Sequence, residues 1–339
     1  MVIEKINSHQ LEKCYAVERI WINDHLHIIA ASEARSACLL FDVRGNYVEK
    51  IWDQPGGTMS LVALREKSAR FLASQQFYGP DASSDSKIVL AERSVEGKWQ
   101  ISDVMKVPYL HRFDILKRNG VSYLLAATIK EHSEYQEDWR TKGKLLVSGT
   151  LGEIHDIKLR ELELSLVKNH GFYRLEENDY EYALVSGDEG VFKVIPPADI
   201  CGRWSVRQIL AEPVSDMVMI DLDGDGEEEL VTISPFHGDD VSIYKKVPGG
   251  YVRIYQQQAQ FAHAIWGGLI YGKPAVVLGH RYGERNLLVL TMDTDVKIQV
   301  IEADIGPANV LCYEDRGIIY LVSANRETDQ VSFYRIKEG

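Results

Sequence analysis

The sequence predicts an all-β fold, a single seven-bladed β-propeller of four-stranded blades spanning residues 1–339. Three observations predict it: a multi-strand unit recurring at a period in the forties, seven strongly apolar strand segments, and no sustained amphipathic helical periodicity. The apolar segments read His27-Ile-Ile-Ala-Ala, Ala69-Arg-Phe-Leu-Ala, Tyr123-Leu-Leu-Ala-Ala, Tyr182-Ala-Leu-Val, Glu229-Leu-Val-Thr-Ile, Ala275-Val-Val-Leu and Ile319-Tyr-Leu-Val. Each is rich in strand-forming side chains and is taken as the second strand of its unit.

Aligning these strands brings His111, His170, Asp216, His263 and Asn309 to the start of successive units, spaced by subtraction at 59, 46, 47 and 46 residues. The longest unit carries a charged insertion from Glu131 to Lys144. Third and fourth strands are legible in Asp240-Val-Ser-Ile-Tyr and Gly250-Tyr-Val-Arg-Ile-Tyr, joined through Pro248-Gly249-Gly250. Residues 158–167 alternate charged and apolar side chains, as an outer strand does. The last unit ends after a strand at Gln330–Ile336, so the N-terminal segment Val2–Ile6 is expected to supply its outer strand, closing the ring and removing an edge.

Apolar residues make up 45% and charged residues 26% of the chain, the balance of a protein that buries a large core. With 38 basic against 50 acidic residues the net charge is −12, which repels a phosphate backbone and argues against nucleic acid as a partner. No apolar run reaches the roughly 20 residues that span a bilayer, and the start lacks the apolar region of a signal peptide, so no membrane association and a cytoplasmic location are expected. Cys14, Cys38, Cys201 and Cys312 are scattered singly, as buried thiols are.

The segment Asp221-Leu-Asp-Gly-Asp-Gly-Glu-Glu-Glu carries the strongest local motif. Asp221, Asp223 and Asp225 alternate along a turn, Gly226 permits the sharp bend and Glu229 follows, a spacing that aims several oxygens at one centre as calcium requires. A solvated acidic turn is the plainer reading of the same residues. Joining the first and second strands of its unit, this turn lies on the face opposite the unit openings.

On the other face, residues that open units meet residues that follow second strands. The first group is Thr58, His111, His170, Asp216, His263 and Asn309; the second is Gln75, Gln76, Glu131, His132, Asp188, His237, His280, Arg281, Asn325, Arg326 and Glu327. Imidazoles facing one axis suit a transition metal, so His111, His170, His237 and His263 are the expected ligands of zinc, manganese or iron. Such a metal polarises a carbonyl or hydroxyl oxygen. Arg281 and Arg326 would bind a carboxylate or developing oxyanion, and His280 or Tyr282 would take a proton. Asn309, Asn325, Glu327 and Trp266 are the expected substrate contacts, Trp266 by stacking on a sugar ring. This chemistry belongs to a lyase, dehydratase or isomerase. A water-filled polar channel with no catalytic purpose is the competing account.

The acidic turn resembles the FG-GAP or VCBS type of propeller repeat. The segments Pro235-Phe-His-Gly-Asp239, Ala262-His-Ala-Ile-Trp-Gly-Gly268, Gly279-His-Arg-Tyr-Gly283, Gly306-Pro-Ala-Asn309 and Ser323-Ala-Asn-Arg-Glu327 resemble bacterial propellers related to the propeller part of aldos-2-ulose dehydratase. That resemblance implies metal-assisted elimination of water from a sugar or keto-sugar, a small carbohydrate as partner, and calcium in the acidic turn. The alternative is a non-enzymatic interaction propeller that binds through loops such as 131–144. That insertion leaves from the mouth face as a lid, a docking loop or a solvated hairpin. Neither the metal nor the oligomeric state follows from the sequence.

Overall fold

The second strands are apolar on both faces because both are covered. Leu124, Leu125 and Ala126, for example, are all buried, packed between neighbouring blades. Outer strands such as Leu159–Leu166 bury only alternate positions. The computed structural model describes residues 1–64, 69–149, 154–199 and 202–338; Cys201 lies outside them. Antiparallel four-stranded sheets run through residues 14–52, 61–106, 110–166, 171–210, 216–258, 262–302 and 307–337, blades 1 to 7 in chain order. A lone bridging pair, Arg118 with Tyr180, joins blades 3 and 4. The first strand of each blade packs on the first strand of the next, and that of blade 7 packs on that of blade 1, which closes the ring.

Blade 7 takes its outer strand from the N-terminus. Val2–Gln10 pairs antiparallel with Gln330–Lys337, from Val2 opposite Lys337 to Gln10 opposite Gln330, a longer strand than the expected 2–6. No helix among the described residues is long and apolar enough to cross a membrane. Cys14, Cys38 and Cys312 are free and buried, and burial pushes their thiols up.

The blade openings set the site. In blades 1, 3, 6 and 7 the pairing of first and second strands skips one residue, between Cys14 and Ala16, Leu110 and Arg112, Ala262 and Ala264, and Pro307 and Asn309. Such a bulge turns the extra side chain out of the ladder. The extra residues are Tyr15, His111, His263 and Ala308. His170 and Ser215 stand at the same point in blades 4 and 5, each just before the first ladder pair and donating its N–H to the partner strand. In blade 2 Met59 donates its N–H to Ser74 Oγ at 2.8 Å, beside Ser60, whose carbonyl accepts the Ser74 amide. The axial ring is therefore Tyr15, Met59, His111, His170, Ser215, His263 and Ala308, all buried. Thr58, Asp216 and Asn309, expected on this ring, each stand one residue from it, because bulges and loop lengths shift the count.

On the opposite face the acidic turn is closed by an internal cation. The Lys245 ammonium, from the third strand of blade 5 (Asp240–Val247), pairs with Asp223, with Asp225 at 2.7 Å and with buried Glu229 at 3.4 Å. The other Glu229 oxygen accepts the Leu222 amide at 2.8 Å. Asp221 accepts the Gly226 amide at 3.0 Å. Asp221, Asp223 and Asp225 also bring one oxygen each within 4.8 Å of one another, so the turn expected to hold calcium has the geometry of a cation site with Lys245 beside it.

Candidate metal centre

Four imidazoles converge at the axis. His170 lies 4.5 Å from His111, 4.5 Å from His237 and 5.3 Å from His263 between ring centroids, and His237 lies 4.6 Å from His263. One ring nitrogen from each of His170, His237 and His263 falls within 4.8 Å of the others. Three of the four rings come from the bulge register. His237 comes from the loop after the second strand of blade 5 and reaches the axis through a left-handed backbone, φ 52°. Its amide donates to Ser215 Oγ at 3.2 Å, which ties the loop to the ring.

Backbone carbonyls orient the rings. His170 Nδ1 donates to the Ser215 carbonyl at 3.0 Å, and His263 Nδ1 donates to the Ala308 carbonyl at 2.7 Å. A carbonyl only accepts, so each ring holds its proton on Nδ1 and its lone pair on Nε2. This is how proteins prepare imidazoles for a metal. Among the four rings, His111 Nδ1, His170 Nε2 and His237 Nδ1 are buried without a hydrogen-bond partner. His263 Nε2 accepts from the Tyr15 hydroxyl at 3.3 Å.

Burial keeps the rings neutral. It pushes His170 down to about 3 and holds His111, His237 and His263 well below the ordinary imidazole range, helped by their neighbours and by Arg112. Neutral imidazole is the metal-binding form. The donor set, three neutral nitrogens with two carbonyl-backed rings, fits zinc or another first-row divalent metal. His111 touches this triad through His170 but stands outside it.

An aromatic collar encloses the cluster. Phe77 packs on His111 at 5.4 Å, Phe236 on His170 and His237 at 5.5 and 4.0 Å, and Phe261 stacks on His237 at 4.8 Å. The 131–144 insertion contributes Trp139, 4.8 Å from Phe236. That loop is mostly exposed, as a solvated hairpin is, but is tied at its base to a buried cation. Lys130 donates to the carbonyls of Asp138 at 2.6 Å and Gln136 at 3.4 Å and to Ser133 Oγ at 3.2 Å, with its ammonium 4.0 Å over the Trp139 ring.

The other expected site residues are used elsewhere. Arg281 donates to Glu327 at 2.7 and 2.8 Å, and Arg326 pairs with Glu327 at 2.9 Å and with Glu33. These ion pairs clamp blades 6, 7 and 1 together, so Arg281, Arg326 and Glu327 already satisfy one another. His280 ends the second strand of blade 6, opposite Ala262, and among the described residues makes no ring contact with the four histidines. Tyr282 is 70% exposed. Trp266 packs into the core between blades 6 and 7, and Asn325 bonds Ser323 and Ser332 within blade 7. Asn309 Oδ1 accepts the amide of its neighbour Val310.

Two residues at the site escaped the sequence reading. Tyr15 precedes its second-strand marker His27 by 12 residues, the same offset by which His111, His170 and His263 precede Tyr123, Tyr182 and Ala275. That arithmetic was available. Arg112 follows the bulge, donates to the Met59 carbonyl at 2.8 Å and Tyr15 Oη at 3.4 Å, and lies 5.4 Å over the Tyr15 ring. No pattern in the sequence marks it.

No protein-family model and no curated protein significantly matches the sequence. Among solved structures the chain is similar to the β-propeller domain of Cps50 (Swd1) from Myceliophteria thermophila. The TM-score is 0.64 at 10% identity, covering 99% of this chain and 100% of that one. At that identity the likeness shows the β-propeller fold alone.

Proposed function

We propose that the chain is a metal-dependent carbon–oxygen lyase or isomerase, with the axial centre as its Lewis-acid site and a sugar or keto-sugar as its substrate. The observation that carries this reading is the triad of neutral imidazoles, His170 and His263 buried and His237 half-buried, with one nitrogen each within 4.8 Å, two of them backed by carbonyls. His170, His237 and His263 would hold the metal, which when bound polarises a carbonyl or hydroxyl oxygen. Tyr15 stands where a hydroxyl can exchange a proton beside that oxygen. The Phe77, Phe236, Phe261 and Trp139 collar, only partly exposed, would limit water at the centre and so strengthen charge interactions there. The sugar class comes from the resemblance of the second-half motifs to FG-GAP-type propellers read in the sequence, which no family model matches.

A second reading, a non-enzymatic interaction propeller, has its own support. The mutual pairing of Arg281, Arg326 and Glu327 takes away the expected oxyanion binders. Binding would then reside in outer loops such as 131–144.

The test is reconstitution with zinc, manganese and iron in turn, followed by incubation with keto-sugars and uronates while the ultraviolet band of the conjugated elimination product is monitored. Metal-dependent turnover that disappears in His263→Ala supports the lyase. Stoichiometric metal with no turnover on any of these substrates moves the weight to the interaction propeller.

A further inference from the structure

We propose that Arg112 and Tyr15 form an oxyanion subsite beside the three-histidine centre, so that the ligand taken there is a small carboxylate, such as a sugar acid or a hydroxy or keto acid, and not a neutral sugar. This rests on the metal reading above and narrows its substrate class.

The geometry is a chain of donors leading to the centre. Arg112 Nη2 donates to Tyr15 Oη, and Tyr15 Oη donates to His263 Nε2, so the guanidinium is two hydrogen bonds from an imidazole of the triad. A metal held by His263 Nε2 would take the lone pair that now accepts the Tyr15 proton, so Tyr15 would turn from that nitrogen and its hydroxyl would be free to donate to a ligand. Arg112 already points at that oxygen. A guanidinium and a hydroxyl held together beside the three histidines offer donors that match the two oxygens of a carboxylate.

Charge balance argues the same way. Among the described residues no carboxylate lies within 4.0 Å of Arg112, whereas Arg281, Arg326 and Lys168 are all ion-paired. The nearby acid, Asp216, accepts the Met217 amide; its single negative charge offsets Arg112 but not a divalent metal as well. Three neutral imidazoles bring no negative charge. A divalent metal and Arg112 would then leave an excess of buried positive charge, which is costly without a counter-ion. An anionic ligand neutralises it, and a neutral sugar does not.

The experiment loads the full chain with cobalt(II), whose visible ligand-field spectrum reports its ligands, and titrates acetate, with glucose as the neutral comparison. The expected result is a spectral change saturating with acetate and none with glucose. Arg112→Met should weaken acetate roughly ten- to hundredfold, and Tyr15→Phe about fivefold, while both still bind cobalt stoichiometrically. Arg112→Lys, which keeps the charge but not the fork, should fall between wild type and Arg112→Met. Retained cobalt binding separates loss of the subsite from loss of the fold, and Tyr15→Phe serves if Arg112→Met does not fold. Stoichiometric cobalt with no response to acetate, an equal response to glucose, or wild-type acetate affinity in both Arg112→Met and Tyr15→Phe overturns the subsite alone. Absence of cobalt binding in wild type overturns the metal reading and the subsite with it.

Discussion

His263 Nδ1 donates to the carbonyl oxygen of Ala308, on the next blade, at 2.7 Å. The bond fixes the ring between two blades and leaves Nε2 as its basic nitrogen. His170 makes the equivalent bond to Ser215 across blades 4 and 5. The shared register at the blade openings, a bulge in blade 6 and the residue before the first ladder pair in blade 4, therefore lets blade-to-blade packing orient the rings. Replacing either ring would remove a proposed ligand, where loss of an outer partner alone costs about 10–100-fold in metal affinity. His170→Ala or His263→Ala is expected to lower zinc affinity by more than about 100-fold, measured by competition with a chromophoric chelator.

The buried rings give the metal-free protein a defined acid sensitivity. For His170 the folded pKa, about 3, lies below the ordinary 6.5. Above pH 6.5 the ring is neutral in both states and contributes no slope. As pH falls from 6.5 toward 3 the unfolded chain takes up a proton that the folded chain refuses, so stability is lost, by up to about 1.4 kcal/mol per pH unit for each such ring. Asp216 acts with the opposite sign, since its raised pKa adds stability as pH falls from about 6 to 3.8. Four imidazoles outweigh one carboxyl. Urea midpoints should fall between pH 7 and pH 5, and His170→Gln should flatten that fall.

Lys245 is expected to be the cation of the acidic turn. Lys245→Met leaves Asp223, Asp225 and Glu229 without it. The variant should melt at a lower temperature than wild type, and millimolar calcium should restore much of the loss while leaving wild type unchanged. An equal calcium response in both proteins would contradict this assignment.

Ring closure depends on the N-terminal strand. Removing residues 1–10 strips the outer strand from blade 7, exposes the edge of Gln330–Lys337 and deletes the Lys5–Glu302 ion pair to blade 6. The truncated chain should lose at least about 5 kcal/mol, a large share of the net stability of a folded domain, seen as an early urea transition or as aggregation.

The insertion loop should resist protease because its carbonyls surround Lys130. Lys130→Met leaves the Gln136 and Asp138 carbonyls without that donor. Tryptic cleavage after Arg140 or Lys142 should be at least about tenfold faster in the variant than in wild type, read from the fragment pattern over time.

Seven blades were legible because each second strand is buried on both faces and must read as an apolar run. Closure by the N-terminus was legible because blade 7 ran out of strands. The axial histidines were legible in outline, since the bulge register recurs at a fixed offset from those runs. What was not legible depended on one-residue shifts and on pairing. A bulge places Ala308, not Asn309, on the axis, and only coordinates reveal that Arg281, Arg326 and Glu327 neutralise one another or that Lys245 reaches the acidic turn. Arg112 acquires its place only because Tyr15 and Met59, distant in sequence, sit on adjoining blades.

The most direct test of the central claim is elemental analysis of protein purified without a histidine tag, comparing wild type with a His170→Ala/His263→Ala double variant. The account predicts close to one transition-metal ion per wild-type chain and almost none in a double variant that is still folded by circular dichroism. Wild-type protein that stays free of transition metal after reconstitution, or a double variant that keeps its full complement, would contradict it.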